Sequence, residues 1–326
     1  TILGINHVGL SVHNLDAILD FYTKATGFEV IGTEESSTGA ELDRLFGVEE
    51  VSYRTATLRS PSMMFELTEF SGNRNLEKQT TPVFGPGMTH TCFQSPEADS
   101  GYDKFLRAGV RMLSRGDKPV DIGGYGVTYA YGYDPEGNMM ELEQLDQNVI
   151  ERIQEGQPWS REEHPMWLTQ VGLITDDLSR LVRFYEKVFG IKAFRRADIN
   201  GRPVFDDIAD VDDVSILAAW FRLDRPNKVL ELMQYRNPET PRAGRTRSPI
   251  EPGYSFSIEV GDIEQEYHSL RDLGVVFLSE PMVVGNYRTA FANDPDGNVF
   301  SLRQPVDSGS IFSIPNFPFA VRSFTD

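Results

Sequence analysis

The sequence contains little that would place the protein in a membrane, on nucleic acid or outside the cell. Cys92 is its only cysteine, so no disulfide can form within the chain, and we expect a reducing cytoplasm. The chain has 31 basic and 49 acidic residues, and hence a net charge of −18. This charge argues against nucleic-acid binding, which requires a basic surface. No run of about 18 apolar residues occurs, so no membrane-spanning helix is expected. The opening TILGINHV also lacks the charged start and apolar stretch of a secretory signal.

The most informative feature that the chain does have is an internal repeat. Residues 5–28 align without gaps with residues 168–191, sharing Val-Gly-Leu, Phe-Tyr, Lys and Gly at one constant offset. Further along, DPEGNMMELEQ from Asp134 matches DPDGNVFSLRQ from Asp294. A repeat over this length indicates that the two halves of the chain are copies of one another.

Each half divides again into two similar modules. Val8 and Leu10 alternate with other residues at the period of a two-faced strand. An amphipathic helix follows, for which Asn14 is the predicted N-cap and Gly27 the predicted stop. A strand, a helix and three further strands fit each quarter. The sequence therefore predicts an α+β fold of four βαβββ modules, at about 4–70, 86–146, 166–236 and 252–305.

We expect consecutive modules to form the two domains. The first domain, residues 1–150, would carry the metal site described below, and the second, residues 160–305, would be a degenerate copy. Residues 306–326 form an aromatic C-terminal tail interrupted by proline. Such a tail is expected to pack as extended chain over a neighbouring surface.

Histidine is scarce, yet two of the five histidines occupy matching places in the first and second modules. Two glutamates also match, each in the last strand of its module. Together two neutral imidazoles and two carboxylates would neutralise a divalent cation and leave room for a substrate. Such ligands suit Fe, Mn, Co, Ni or Zn rather than calcium. The predicted metal set is His7, Glu66, His90 and Glu141.

The second half of the chain serves as an internal control. Its residues at the four equivalent positions are Gln170, Glu231, Phe256 and Ser301. Phenylalanine and serine do not make a site of hard N and O ligands. We therefore expect one divalent metal per chain, held by the first half, and little effect of changes at Gln170 or Glu231.

These motifs resemble those of the vicinal oxygen chelate superfamily, which includes glyoxalase I, bleomycin-resistance proteins and extradiol dioxygenases. The resemblance covers roughly residues 3–305 and rests on the H-V-G-L start, the F-Y-x-K helix end and the D-P-x-G-N-x-x-E strand. It implies that modules pair into two partly open eight-stranded barrels with the ligands on the concave face. It also implies a small-molecule substrate that chelates metal through neighbouring oxygens, and it leaves a homodimer open.

Three functions stay open at this point. In a non-oxidative isomerase, epimerase or lyase resembling glyoxalase I, Glu141 or Glu66 would carry the proton. In an extradiol ring-cleaving dioxygenase, two histidines and one carboxylate would hold Fe(II), and Tyr131 matches part of that signature. The third is a non-catalytic small-molecule binding protein. For the pocket itself, the predicted substrate-binding residues are Tyr129, Tyr133 and Met64.

Overall fold

The computed structural model describes residues 1–73, 75–78, 80–154, 166–225 and 228–318, and over these residues the chain forms two open sheets of nine strands each. The expected α+β class with four βαβββ modules is confirmed. Each sheet has nine strands rather than eight, because the second and fourth modules each contribute an additional short strand.

The four modules follow one another along the chain. The first contains β1 (Ile2–Ser11), α1 (Leu15–Thr26), β2 (Glu29–Ser36), α2 (Ala40–Phe46), β3 (Tyr53–Arg59) and β4 (Met64–Phe70). The second contains β5 (Gly87–Pro96), α3 (Gly101–Arg107), β6 (Arg111–Met112), β7 (Val120–Asp121), β8 (Val127–Tyr133) and β9 (Met139–Leu145), and α4 (Gln147–Gln154) follows it. The third contains β10 (Trp167–Ile174), α5 (Leu178–Phe189), β11 (Arg195–Asn200), α6 (Pro203–Ala209), β12 (Ser215–Arg225) and β13 (Lys228–Asn237). The fourth contains β14 (Gly253–Val260), α7 (Ile263–Asp272), β15 (Val276–Phe277), β16 (Met282–Val284), β17 (Tyr287–Asn293) and β18 (Val299–Pro305).

The pairing of the modules differs from the expected one. Sheet A runs β15-β17-β18-β14-β1-β4-β3-β2, with β16 on β17, and so joins the first module to the fourth. Sheet B runs β11-β12-β13-β10-β5-β9-β8-β6, with β7 on β8, and joins the third module to the second. The expected pairing of consecutive modules within 1–150 and within 160–305 therefore does not occur in the sheets. Each sheet contains one module from each half of the chain.

Backbone pairing between the first strands of the modules produces this arrangement. β1 runs antiparallel to β14, with His7 opposite Ser257, and β5 runs antiparallel to β10, with His90 opposite Gly172. Each of these two strands from the first half therefore pairs with a strand from the second half.

Consecutive modules still contact each other, through their helices. Phe21 of α1 lies 6.1 Å from Phe105 of α3, measured between ring centroids. The hydroxyl of Tyr22 donates to Asp134 Oδ2 at 2.8 Å, and the repeat partner Tyr185 donates to Asp294 Oδ2 at the same distance. The Phe-Tyr and Asp-Pro-x-Gly-Asn motifs therefore recur because they join the first module to the second and the third to the fourth.

The helix ends follow the predicted chemistry. The side chain of Asn14 accepts a hydrogen bond from the backbone N–H of Ala17 and caps α1. Gly27 ends this helix in the left-handed conformation, with φ of 69°. Asp177 and Gly190 cap α5 in the same way.

The described part of the C-terminal tail packs against sheet A. Ile314 and Phe317 are buried beside Met64, and the Asn6 side chain donates to the carbonyl of Phe312 at 2.9 Å. Residues 319–326 of the expected tail lie outside the described residues. Among the described helices, none has the length and apolar character needed to cross a membrane.

Candidate metal centre and its cavity

The structure divides the four predicted metal ligands between the two sheets. His7 on β1 and Glu66 on β4 lie in sheet A. His90 on β5 and Glu141 on β9 lie in sheet B. The expected set of four around one ion is therefore wrong, because module pairing decides which strands share a concave face. Two other clusters form instead, one in each sheet.

Site B is the cluster of Gln170, Glu231, His90 and Glu141 on four neighbouring strands of sheet B. His90 Nε2 lies 3.2 Å from Glu141 Oε2 and 3.3 Å from Glu231 Oε1. The ligand atoms of these three residues all lie within 4.8 Å of one another, and all three residues are buried. Gln170 Nε2 lies 3.4 Å from His90 Nε2 and donates to Glu141. Gln170 and Glu231, expected to be dispensable, complete the cluster.

Surrounding side chains hold these groups in place. Thr89 Oγ1 lies 2.8 Å from His90 Nδ1, which leaves Nε2 facing the two carboxylates. Trp220 Nε1 donates to Glu231 Oε2 at 2.7 Å. The other oxygen, Glu231 Oε1, is buried, and the group that faces it is the His90 imidazole, whose Nε2 lies 3.3 Å away. A buried carboxylate oxygen in that position is costly unless a cation is nearby.

Gly172 makes room for the imidazole of His90. A β-carbon at Gly172 would lie 2.2 Å from His90 Cε1, closer than real atoms approach. At the matching Gly9 of sheet A, the atom nearest to an added β-carbon would be the hydroxyl oxygen of Ser255, at 2.6 Å. The glycine of the repeated Val-Gly-Leu motif is thus required sterically at site B.

The electrostatics of site B favour a cation. Burial by itself would lower the pKa of His90, but the hydrogen bonds and charges of Glu141 and Glu231 raise it to about 9. Burial raises the pKa of Glu141, and the charge of Glu231 adds to this while the hydrogen bond with His90 opposes it. Two buried carboxylates against one imidazole leave excess negative charge. One imidazole and two carboxylates, with an amide oxygen beside them, fit a divalent transition metal.

Site A, formed by His7, Glu66, Ser301 and Arg303 in sheet A, already contains a cation. Arg303 Nη1 donates to Glu66 Oε2 at 2.9 Å, whereas His7 Nε2 lies 3.9 Å from the same oxygen. Burial by itself would raise the pKa of Glu66, but the charge of Arg303 lowers it to about 2. Burial lowers the pKa of His7 to about 3, and the charge of Arg303 acts in the same direction. A guanidinium therefore neutralises the carboxylate that was predicted to bind metal.

A cavity of about 240 Å³ opens onto site B. Tyr129 and Tyr131, predicted near the site, both line it, and the ring of Tyr131 lies 5.6 Å from that of His90. Tyr133 does not line the cavity, because its hydroxyl turns away to donate to the carbonyl of Thr81. Met64, also predicted to bind substrate, is buried in sheet A under the tail and is not among the residues that line this cavity.

No pattern in the sequence indicated which residues form the other cavity walls. They come from β11, α6, β12 and β13 of the third module, which was expected to be degenerate. The apolar and aromatic lining from this module comprises Phe194, Ile199, Phe205, Ile208, Ala209, Ile216, Trp220, Val229, Met233 and Tyr235.

Comparison with known proteins places this geometry in a family. The model of the Glyoxalase/Bleomycin resistance protein/Dioxygenase superfamily matches residues 4–142 and 167–302. A lactoylglutathione lyase of Oryza sativa subsp. japonica is 26% identical over 197 residues, which cover 59% of this chain and 55% of that protein. The chain thus spans little more than half the length of this relative.

Two further comparisons cover different shares of the chain. An ethylmalonyl-CoA/methylmalonyl-CoA epimerase of Cereibacter sphaeroides is 27% identical over 142 residues, covering 43% of this chain and 97% of that protein. The crystal structure of glyoxalase I from Zea mays superposes with a TM-score of 0.61 at 21% identity, covering 92% of both chains. The likeness to the maize structure establishes a shared fold.

Proposed function

The chain belongs to the Glyoxalase/Bleomycin resistance protein/Dioxygenase superfamily, and from that premise we propose that it is a metal-dependent isomerase, epimerase or lyase. Its substrate would carry two neighbouring oxygens. The observation that carries the proposal is the convergence of His90, Glu141 and Glu231 at the floor of a cavity in sheet B.

These three residues would hold the ion, with Gln170 beside them. A divalent ion bound there would supply positive charge that stabilises negative charge developing on substrate oxygen. Trp220 and Thr89 would keep Glu231 and His90 in position through their hydrogen bonds. The remaining chemistry is a proton transfer at carbon.

Glu141 is our candidate for the residue that moves the proton. It lines the cavity, and burial raises its pKa, which makes the carboxylate a better base. Glu141 would take the proton from the carbon beside the two oxygens while the bonding electrons move onto oxygen. Return of the proton to the neighbouring carbon gives an isomer, and return to the opposite face of the same carbon gives an epimer.

The ring-cleaving alternative required a second histidine in the site. His7 was to provide it, but it lies in sheet A. Among the described residues that line the cavity or belong to site B, His90 is the one histidine. One imidazole with two carboxylates departs from the two-histidine, one-carboxylate set of iron oxygenases. The relatives described as a lyase and an epimerase also act without oxidation, so they support the same reading.

Proton exchange at carbon tests the proposal. The protein is loaded separately with Ni, Co, Mn, Zn and, without oxygen, Fe(II). Each form is incubated in deuterated water with a hemithioacetal of a 2-oxoaldehyde or with a 2-methyl-substituted malonyl thioester. We expect metal-dependent deuterium uptake at the carbon beside the oxygens, lost in Glu141→Gln. Oxygen consumption with catechols, without exchange in either substrate class, would contradict the proposal.

A further inference from the structure

Three arginines surround the cavity of site B, each stacked on an aromatic residue of the third module. The guanidinium of Arg195 lies 4.6 Å from the Trp220 ring centroid. The guanidinium of Arg202 lies 4.8 Å from the ring centroid of Phe205, and that of Arg222 lies 4.3 Å from the ring centroid of Phe194. All three rings line the cavity. Arg195 itself lines the cavity, and Arg202 and Arg222 lie beside it against the lining rings of Phe205 and Phe194.

These three arginines, here called the arginine rim (Arg195, Arg202 and Arg222), are exposed. Arg202 donates to the carbonyl of Ile122, which also lines the cavity. Within the described part of the chain, no carboxylate forms an ion pair with any member of the rim. Stacking holds a guanidinium plane on a ring and leaves its edge free to donate to an anion.

The arginine rim is positively charged, whereas the molecule as a whole and the cavity floor are negatively charged. The whole chain has a net charge of −18, and the floor contains Glu141, Glu143 and Glu231. Between floor and rim lie apolar walls that include Ile199 and Ile216. The cavity thus runs from acidic floor through apolar walls to cationic mouth. An anionic group would be repelled from the floor and attracted to the mouth.

We propose that the substrate is an elongated anion held in one orientation by the arginine rim. Its two neighbouring oxygens lie at site B, an apolar body fills the walls, and a carboxylate or phosphate lies against Arg195, Arg202 and Arg222. This inference rests on the proposed function, since it assigns the chelating end of the substrate to site B. The volume suits a body of about one ring, because an apolar cavity of about 150 Å³ accommodates benzene.

A set of chelating probes that differ in one charge tests this orientation. Benzohydroxamic acid offers two neighbouring oxygens and a ring without further charge. Its para analogues carry a carboxylate or a phosphonate on one to three methylene groups. Titration calorimetry on the metal-loaded protein measures each affinity. We expect at least one charged probe to bind about tenfold more tightly than the neutral probe.

Substitution of the rim separates its contribution from that of the metal. In the triple variant Arg195→Gln, Arg202→Gln, Arg222→Gln, the charged probes should bind no better than the neutral one. The affinity for the neutral probe should stay unchanged, which also reports an intact fold. Arg271→Gln is the matched control, because Arg271 is exposed and stacks on Tyr267 of sheet A's helix α7. That change should leave the preference for the charged probe intact.

The outcomes distinguish the two proposals. In one outcome the neutral probe binds only with metal, and no charged probe binds more tightly than the neutral one. The rim then does not bind an anion, so the inference is wrong while the proposed function stands. A charged-probe preference that survives the triple variant overturns the inference as well. If the neutral probe binds equally with and without metal, or binds equally in His90→Gln, the proposed function falls and this inference with it. The better of the carboxylate and phosphonate probes identifies the anion.

Discussion

Two histidines at matching positions of the repeat are held in opposite states by the charges around them. His7 lies near Arg303, and its pKa is lowered to about 3, first by burial and then by that charge. Burial also acts to lower the pKa of His90, but Glu141 and Glu231 raise it to about 9. The residue type alone therefore does not identify a ligand. The charges beside each imidazole, Arg303 at His7 and two carboxylates at His90, decide whether a cation is repelled from that position or attracted to it.

The low pKa of His7 predicts a pH dependence of stability. In the folded protein the pKa of His7 is about 3, whereas in the unfolded chain it is 6.5. The folded protein should therefore lose stability as the pH falls below about 6.5, because only the unfolded chain then binds the proton at His7. The slope for one proton is at most about 1.4 kcal/mol per pH unit. The free energy of unfolding in urea can be measured for the natural protein and for His7→Gln between about pH 7 and pH 4.5. It should fall less steeply with decreasing pH in the variant. Parallel curves would contradict the assignment.

The close approach of Gly172 to His90 makes a second prediction. Gly172→Ala should displace the imidazole and weaken metal binding at least about tenfold, because the added β-carbon overlaps the ring. Gly9→Ala is the matched control in sheet A, where the obstacle is the movable side chain of Ser255. Titration with Ni or Zn and a competing chelator measures both affinities. Equal metal affinity in the two variants would show that the ring has room to move.

At the scale of elements, the recurrent turn and the recurrent helix form one structural unit. Asp134 accepts hydrogen bonds from the backbone of Glu136 and Asn138, which fixes the turn before β9. Its other oxygen accepts from Tyr22 of α1, which belongs to a different module and sheet. Asp294 and Tyr185 repeat the arrangement in the other half. Two motifs that are far apart in sequence are thus explained by one hydrogen bond.

Removal of this hydrogen bond should destabilise the protein without affecting the metal site directly. Tyr22→Phe leaves a buried carboxylate short of one donor, and we expect a loss of about 1–3 kcal/mol in unfolding free energy. Tyr185→Phe should cost a similar amount. Tyr267→Phe is the control, because within the described residues its hydroxyl makes no hydrogen bond. If Tyr22→Phe cost no more than the control in chemical denaturation, the connection would be structurally unimportant.

The elements themselves were predictable because their determinants are local. Asn14 and Gly27 bound a helix by capping chemistry that depends only on nearby residues, and Val8 and Leu10 lie in the strand that their alternation predicted. The short helix α6 was missed. It begins at Pro203 between two strands of the third module, and nothing in the amphipathic pattern marked it as a wall of the cavity.

At the scale of the whole molecule, the sequence did not predict which modules pair to form each sheet. All four modules begin with strands of similar hydrophobic pattern. The pattern alone therefore does not determine which first strand pairs with which. The choice depends on contacts between distant residues, such as the fit of His90 to Gly172. Arg303 was an available indication, since a buried arginine needs a carboxylate, but both Glu66 and Glu231 were candidates until the pairing was known. The site residues were therefore found in part and grouped wrongly.

The pairing predicts the behaviour of the separated halves. The first half, residues 1–158, contains β1 and β5 but lacks their partners β14 and β10. Each strand would then expose an unpaired edge, which promotes association or unfolding. We expect this half alone to bind no stoichiometric metal, and co-expression with residues 159–326 to restore binding. Elemental analysis of the purified pieces checks this. A first half that folds and binds one ion by itself would contradict the pairing.

The metal content of two matched variants tests the central claim most directly. Natural protein, His7→Gln and Glu231→Gln are loaded with the same divalent ion, dialysed, and measured by plasma mass spectrometry. Because Glu231 belongs to site B and His7 to site A, we predict about one ion per chain in natural protein and in His7→Gln, and loss of most of it in Glu231→Gln. Loss of the ion in His7→Gln with full retention in Glu231→Gln would contradict the account.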